Sequence, residues 1–170
     1  HAHIDHIGYL PRLCREGFGG RVICTESTAR LAAIVLPDSG HLQEEEAEFA
    51  NRMGFSKHRP ALPLYTEADA VRSLDKIDAH SFNEWVQLAA GIEVQLRPSG
   101  HILGSATATI RLIESGRTVL FTGDLGRVNH PLLVPPALPD GADVVVMEST
   151  YGGRQHDDGA GASPDNRFAR

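Results

Sequence analysis

The first six residues, His1-Ala2-His3-Ile4-Asp5-His6, constrain this chain more than any other stretch. Three imidazoles and one carboxylate in six positions are a density of ligand atoms that a solvated surface does not normally carry. If the segment is extended, the side-chain period of two puts His1, His3 and Asp5 on one side. A turn into a helix at His6 then swings a fourth donor toward the same point. Neutral imidazole nitrogen and carboxylate oxygen are the donors that zinc and its first-row neighbours prefer. Four of them crowd a single tetrahedral centre that must also keep an open position, so the hexad predicts two adjacent ions. A purification tag is a run of histidines; here Ala, Ile and Asp intervene and an amphipathic helix follows. The prediction requires distant loops to fold back onto this segment.

A length of 170 residues suits one core and is too short for two sizeable domains. The hydrophobic share of 41 %, with no long apolar run, predicts a soluble globular protein without a membrane span. The sequence starts at His1 without an initiator Met, which predicts a segment upstream. Cys14 and Cys24 form no C-x-x-C pair and sit among apolar residues, so they are expected to be buried thiols in a reducing, cytoplasmic compartment. The net charge of −6 argues against a general nucleic-acid binder, although bound cations would offset carboxylates such as Asp5 and Asp124. Glu44, Glu45, Glu46 and Glu48 read as a solvated helix face.

Ile7, Leu10, Leu13 and Cys14 share a helical face that Gly17 ends, and Pro11 must lie in the first turn, which starts this helix near Gly8. Residues 21–24 read as a short buried strand. Ser27 is the expected cap of a helix carrying Leu31, Ile34 and Val35, which Pro37 kinks or ends. A second helix over 40–53 is expected to turn Leu42, Phe49 and Met53 inward. Residues 56–64, with Pro60 and Pro63, form a loop. Thr66-Glu67-Ala68-Asp69 resembles a capping box opening a short helix through Leu74. The pattern then changes to strands over 85–88, 92–97, 106–113 and 118–122, with a hairpin signal at Ser115-Gly116. A proline-rich loop spans 131–139. The continuous apolar run 143–147 predicts a strand covered on both faces. Residues 152–170 lack periodicity and are expected to be disordered. Helices first and strands later predict a layered α/β architecture.

Two later stretches extend the ligand set. Ser99-Gly100-His101-Ile102-Leu103-Gly104-Ser105 places one histidine in a glycine-flanked loop, where the backbone can approach an ion closely. Phe121-Thr122-Gly123-Asp124-Leu125-Gly126 places an aspartate just past a hydrophobic strand, where α/β active sites gather. Taken singly, His101 would be a hydrogen-bonded loop residue and Asp124 a turn aspartate. Together with the hexad they make six N and O ligands, the number two ions need.

The His-x-His-x-Asp-His hexad, the later Gly-His and the Thr-Gly-Asp strand end resemble, in order, the motifs of the metallo-β-lactamase superfamily. The segment Leu36-Pro37-Asp38-Ser39-Gly40-His41, running into Gln43-Glu44-Glu45-Glu46-Ala47, resembles its β-CASP branch, and so does Met147-Glu148-Ser149-Thr150-Tyr151-Gly152. That branch holds RNA-processing nucleases. The resemblance implies an α/β fold, a partial αββα sandwich of the β-CASP type incomplete at both ends. Residues 1–147 would belong to the metallo-β-lactamase domain and 148–170 to the start of the β-CASP region. It further implies a first Zn2+ on His1, His3 and His101, a second on Asp5 and His6, and Asp124 bridging the pair. Glu148 would support a histidine that protonates the leaving group. Cys14, Cys24, His41, His58, His80 and His130 match no ligand position, and His156 lies in the tail. The activity implied is hydrolysis of single-stranded RNA, or DNA, by hydroxide generated between two zinc ions.

Against the family pattern, an upstream strand with its Asp, the remaining β-CASP insertion and a last zinc histidine are missing, which predicts a fragment that is inactive alone. Two other readings stay open on sequence: a thioesterase or lactonase of the same fold, and a non-catalytic RNA-processing scaffold.

Overall fold

The computed structural model describes residues 1–153. The tail expected to be disordered, with His156, lies outside the described residues from position 154 onward. The chain opens with a single helical turn, α1 (Ile4–Ile7), and a short helix, α2 (Leu10–Arg15). The expected helix thus begins at Leu10 rather than Gly8, with Pro11 in its first turn, where a missing N–H costs nothing. Strand β1 (Val22–Thr25) then leads directly into α3 (Glu26–Met53).

Two expectations for this region are corrected. The cap is Thr25, whose hydroxyl accepts the N–H of Thr28, and not Ser27. Pro37 neither ends nor splits the helix, and one element of 28 residues replaces the two expected. Proline in a helix interior costs about 3 kcal/mol. Fully burying one large apolar side chain returns roughly 1.5–3 kcal/mol, and the helix buries Leu36 just before the proline while Tyr65 packs against it. Gly40, expected to start a second helix, is instead a contact point. A Cβ there would stand 2.7 Å from Glu67 N. The helix therefore spends its glycine on a close approach to the next element.

That element is α4 (Glu67–Ser73), opened by the expected capping box. The Thr66 hydroxyl accepts the Asp69 N–H, and the Asp69 carboxylate accepts the Thr66 N–H. The same carboxylate pairs with Arg15 and Arg72. The Thr66 N–H is the largest of the interactions that hold the Asp69 pKa at about 2 against an ordinary 3.8. Because the folded value is the lower one, the stability Asp69 contributes is complete above about pH 4 and disappears as pH falls toward 2. Asp69→Asn is expected to lower the melting temperature at pH 7 and to flatten the pH dependence of unfolding between pH 4 and 2. Thermal unfolding across that range checks both effects.

Ala32 and Leu36 of α3 meet Tyr65 and Ala70 in the core, with Ile7, Leu10, Leu74 and Ile77 packed around them. The stripe that α3 buries is small: Thr28, Ala32, Leu36, Gly40 and Ala50. Leu42, Phe49 and Met53, expected inside, are 49 %, 47 % and 61 % exposed. Periodicity selected the larger residues, whereas helix-on-helix contact selected the face that lets α4 approach. After a 3-10 turn at Leu74–Lys76, strand β2 (Ile77–His80) pairs in parallel with β1. The sequence reading missed it, although Ile77-Asp78-Ala79-His80 alternates as a half-buried strand should.

The second half is one five-stranded sheet, ordered β3 (Trp85–Ala89), β4 (Ile92–Pro98), β5 (Ala106–Leu112), β6 (Arg117–Phe121) and β7 (Val144–Val146). The first four strands are antiparallel neighbours, as the turn signals predicted, and β7 joins β6 in parallel. The apolar run is therefore a strand, but not one covered on both faces: Val144, Val145 and Val146 are 49–53 % exposed on the sheet edge. Both ligand-bearing loops leave this sheet, one joining β4 to β5 and the other leaving β6. Among the described residues, no helix is long and apolar enough to cross a membrane.

Candidate metal centre

Residues 1–3 are not helical. His3 is extended (φ −65°, ψ 145°) and serves as the cap of α1. His1 and His3 consequently project together, as the period of two requires. Asp5 does not share their side, because the helix has begun at Ile4. Its side chain is 76 % exposed, and its Oδ2 lies 3.8 Å from His6 Nε2. The expected grouping of His1, His3 and Asp5 is thus corrected: Asp5 stands with His6.

The loop between β4 and β5 returns His101 to the hexad. Its base is closed by the Ser99 N–H donating to the Ser105 carbonyl at 3.0 Å. Within it, the buried Ser105 Oγ accepts the N–H groups of His101 at 2.9 Å and Ile102 at 3.1 Å. The backbone of His101 is therefore fixed before any ligand is considered. Asp124 follows β6 by three residues, and three hydrogen bonds hold its loop. The Gly126 N–H donates to the Ser99 carbonyl at 2.8 Å. Glu148, just past β7, accepts the Leu125 N–H at 2.7 Å and donates its own N–H to Thr122 Oγ1 at 3.1 Å. The Leu125 N–H, with help from Thr150, holds the Glu148 carboxyl below the usual range, so it stays ionised.

Four of the expected ligands come together. One donor atom each from His1, His3, His101 and Asp124 lies within 4.8 Å of all the others. His3 Nδ1 is 3.1 Å from His1 Nε2 and 3.2 Å from His101 Nε2. Asp124 Oδ2 is 3.4 Å from both His1 Nε2 and His101 Nε2. A tetrahedral ion with bonds of about 2.0–2.1 Å has donor-to-donor edges of about 3.3 Å. The donor set and its spacing therefore fit a divalent cation. The other oxygen of the same carboxylate, Oδ1, lies 3.3 Å from His6 Nε2. Asp124 thus turns one oxygen toward the three-histidine group and the other toward His6. The His1 side chain is 2 % exposed while Asp124 is 29 % exposed, so the cluster is walled on one side and open on the other.

The remaining candidates lie elsewhere. His41 faces Glu45 and Glu67, His80 faces Asp78, and His130 Nδ1 accepts the N–H groups of Leu132 and Leu133. His58 is tied to Ser56 through its own N–H. Cys14 and Cys24 are free and only partly buried, less so than expected, and burial pushes both thiols up. Sequence reasoning missed Ser105 and Gly126. A buried serine four residues after a loop histidine, and a glycine two residues after the aspartate, were the available signals.

The Metallo-beta-lactamase superfamily profile matches residues 1–160, and the chain belongs to that superfamily. It is 35 % identical over 156 residues to Ribonuclease TTHA0252 of Thermus thermophilus, covering 92 % of this chain and 32 % of that protein. It is 32 % identical over 160 residues to Endoribonuclease YSH1 of Gibberella zeae, covering 92 % of this chain and 18 % of the relative. It is 33 % identical over 158 residues to Transcription termination factor FttA of Methanothermobacter thermautotrophicus, covering 91 % and 22 %. The chain therefore spans a third or less of the length of these relatives. Their names agree with the RNA-processing β-CASP branch expected from residues 36–47 and 147–152, and the mixed α/β architecture agrees with the superfamily fold.

Proposed function

We propose that the intact protein is a zinc-dependent hydrolase that cleaves phosphodiester bonds of single-stranded RNA. The observation that carries this reading is that the Asp124 carboxylate turns one oxygen to the three-histidine group and the other to His6. His1 Nε2, His3 Nδ1, His101 Nε2 and Asp124 Oδ2 would hold one Zn2+; Asp124 Oδ1, His6 and Asp5 would hold the second. Bound there, such ions supply Lewis acidity and lower the pKa of water toward neutrality. The chain's own residues set the geometry. Ser105 fixes the backbone of His101, and Glu148 fixes the backbone beside Asp124. Asp124, on the open side, would accept the proton of the attacking water as its oxygen bonds to phosphorus and the opposite P–O bond breaks. Glu148 would in addition support a histidine acid supplied by the remainder of the protein, with the β-CASP region opening near residue 148. The free thiols of Cys14 and Cys24 agree with a reducing, cytoplasmic compartment.

RNA as substrate rests on the names of the relatives, and with a net charge of −6 here, most contacts to the phosphate backbone would come from the remainder of the intact protein. The test is cleavage of an end-labelled single-stranded RNA by the intact protein. EDTA is expected to abolish cleavage and added Zn2+ to restore it. A zinc-loaded protein that leaves RNA intact but hydrolyses thioesters or lactones would overturn the nuclease reading. A protein that binds no zinc and cleaves nothing would establish the scaffold instead.

A further inference from the structure

Two buried hydroxyls at the start of α3 grip the backbone of the loop that carries His101. Thr25 ends β1 and caps α3, while Thr28 lies in the first turn; they are 3 % and 4 % exposed. The Gly104 carbonyl oxygen stands 2.7 Å from Thr25 Oγ1 and 3.0 Å from Thr28 Oγ1. Gly104 has φ +80°, and a Cβ there would meet Thr28 N at 2.6 Å and each hydroxyl at 2.8 Å. The loop thus rests on the helix start at a distance, and in a conformation, that only glycine permits.

Counting protons separates the two threonines. Thr25 Oγ1 already accepts the Thr28 N–H, which is the cap. The two hydroxyls lie 2.9 Å apart and have one proton each. If Thr25 donates to Thr28 Oγ1, Thr28 is the donor to Gly104; if Thr25 donates to Gly104, Thr28 either adds a second bond to that carbonyl or donates to Thr25 Oγ1 and so aims the first. The Thr28 hydroxyl, unlike that of Thr25, takes no part in the cap, to which Thr28 contributes only its backbone N–H. The turn α1, which carries the second half of the hexad, also packs against α3. One helix is the common reference for both parts of the ligand set.

We propose that Thr28 is a positioning residue for the metal centre: its hydroxyl anchors Gly104 and so fixes His101 Nε2 against His3 and Asp124. This inference rests on the metal reading above. It also explains why buried hydroxyls, rather than apolar side chains, sit where β1 turns into α3. A buried carbonyl demands a donor, and a donor of fixed direction holds a loop in one place.

The test is Co2+ and Zn2+ titration of the intact, metal-stripped protein, followed by chelator competition and the visible Co2+ spectrum. Thr28→Val keeps the shape and removes the hydroxyl. It is expected to raise the metal dissociation constant roughly tenfold, the scale of an outer-shell loss, and to alter the Co2+ bands. Thr28→Ser, which keeps the hydroxyl, is expected to restore both. Ser73→Ala is the control, because Ser73 is equally buried and donates to the Ala70 carbonyl away from this loop. It should leave metal affinity unchanged. Wild-type affinity and spectrum in Thr28→Val overturn the proposal, as does an equal loss in Ser73→Ala. If the valine variant does not fold, Thr28→Ala decides by the same two outcomes. His101→Ala tests the underlying reading. Unchanged Co2+ uptake in that variant overturns the metal assignment itself. Abolished uptake beside a normal Thr28→Val overturns the positioning role alone.

Discussion

Asp124→Ala in the intact protein is expected to lower RNA cleavage by about a thousandfold or more, the upper range for loss of one preorganised group aimed at developing charge. The size follows from how many partners this carboxylate has. It lies 3.4 Å from His1 and His101 through one oxygen and 3.3 Å from His6 through the other. Its removal takes a ligand from each proposed ion and leaves three imidazoles on one side and His6 on the other. Asp124→Asn keeps the shape but gives up the charge and one oxygen, so its activity is expected to fall between wild type and alanine. Folding should suffer little, because the loop is held by backbone contacts from Glu148 and Ser99 that neither variant touches. In EDTA the wild type and the alanine variant should therefore melt within a few degrees of each other. With zinc they should separate, since a ligand bound only to the folded state stabilises by RT ln(1 + [L]/Kd). Nuclease rates together with melting curves in both conditions check the expectation. Full activity in the alanine variant would remove Asp124 from the mechanism.

The second large effect is structural. Gly126→Ala is expected to destabilise the fold by about 3 kcal/mol or more, the severe end of overpacking. A Cβ at Gly126 would stand 1.7 Å from the Gly100 oxygen, 1.9 Å from its carbonyl carbon and 2.4 Å from the His101 nitrogen. All three are backbone atoms, so no side chain can rotate out of the way. The only relief is to move the His101 loop away from the Asp124 loop. Any folded fraction should therefore lose metal as well as stability, and the two losses should appear together in melting and metal-content measurements. Gly19→Ala, whose Cβ would meet nothing within 4 Å, is the neutral control. A Gly126→Ala protein with wild-type melting and metal content would show that the two loops are not locked.

Local spacing made the hexad, His101 and Asp124 legible, because ligand residues announce themselves by type and period. The structure brings His1, His3, His101 and Asp124 within 4.8 Å of one another, and it places Asp5 beside His6 because α1 already starts at Ile4. The capping box at Thr66 and Asp69 was equally local and equally readable. What periodicity could not supply was choice between faces. Leu42, Phe49 and Met53 are larger than Ala32 and Gly40, yet close approach to α4 selected the small stripe. Pro37 suggests a kink or an end, and not one continuous helix, because the sequence does not display the packing of Leu36 and Tyr65 that offsets its cost. The run 143–147 suggests an interior strand because an apolar run looks the same at an edge as in the middle of a sheet, where the structure has the edge strand Val144–Val146. Thr28, Ser105 and Gly126 act through partners 76, 4 and 26 positions away. Ser105 and Gly126 stand near His101 and Asp124 in the sequence, but which contacts these three residues make becomes legible only when the loops are assembled.

The most direct measurement is an anomalous diffraction map of the intact, zinc-loaded protein collected at the zinc edge. Two peaks are expected, one bonded to His1, His3, His101 and one oxygen of Asp124, the other to His6, Asp5 and the second oxygen of that carboxylate. A map without a peak among these side chains, in protein that cleaves RNA, would contradict the metal centre and the mechanism built on it.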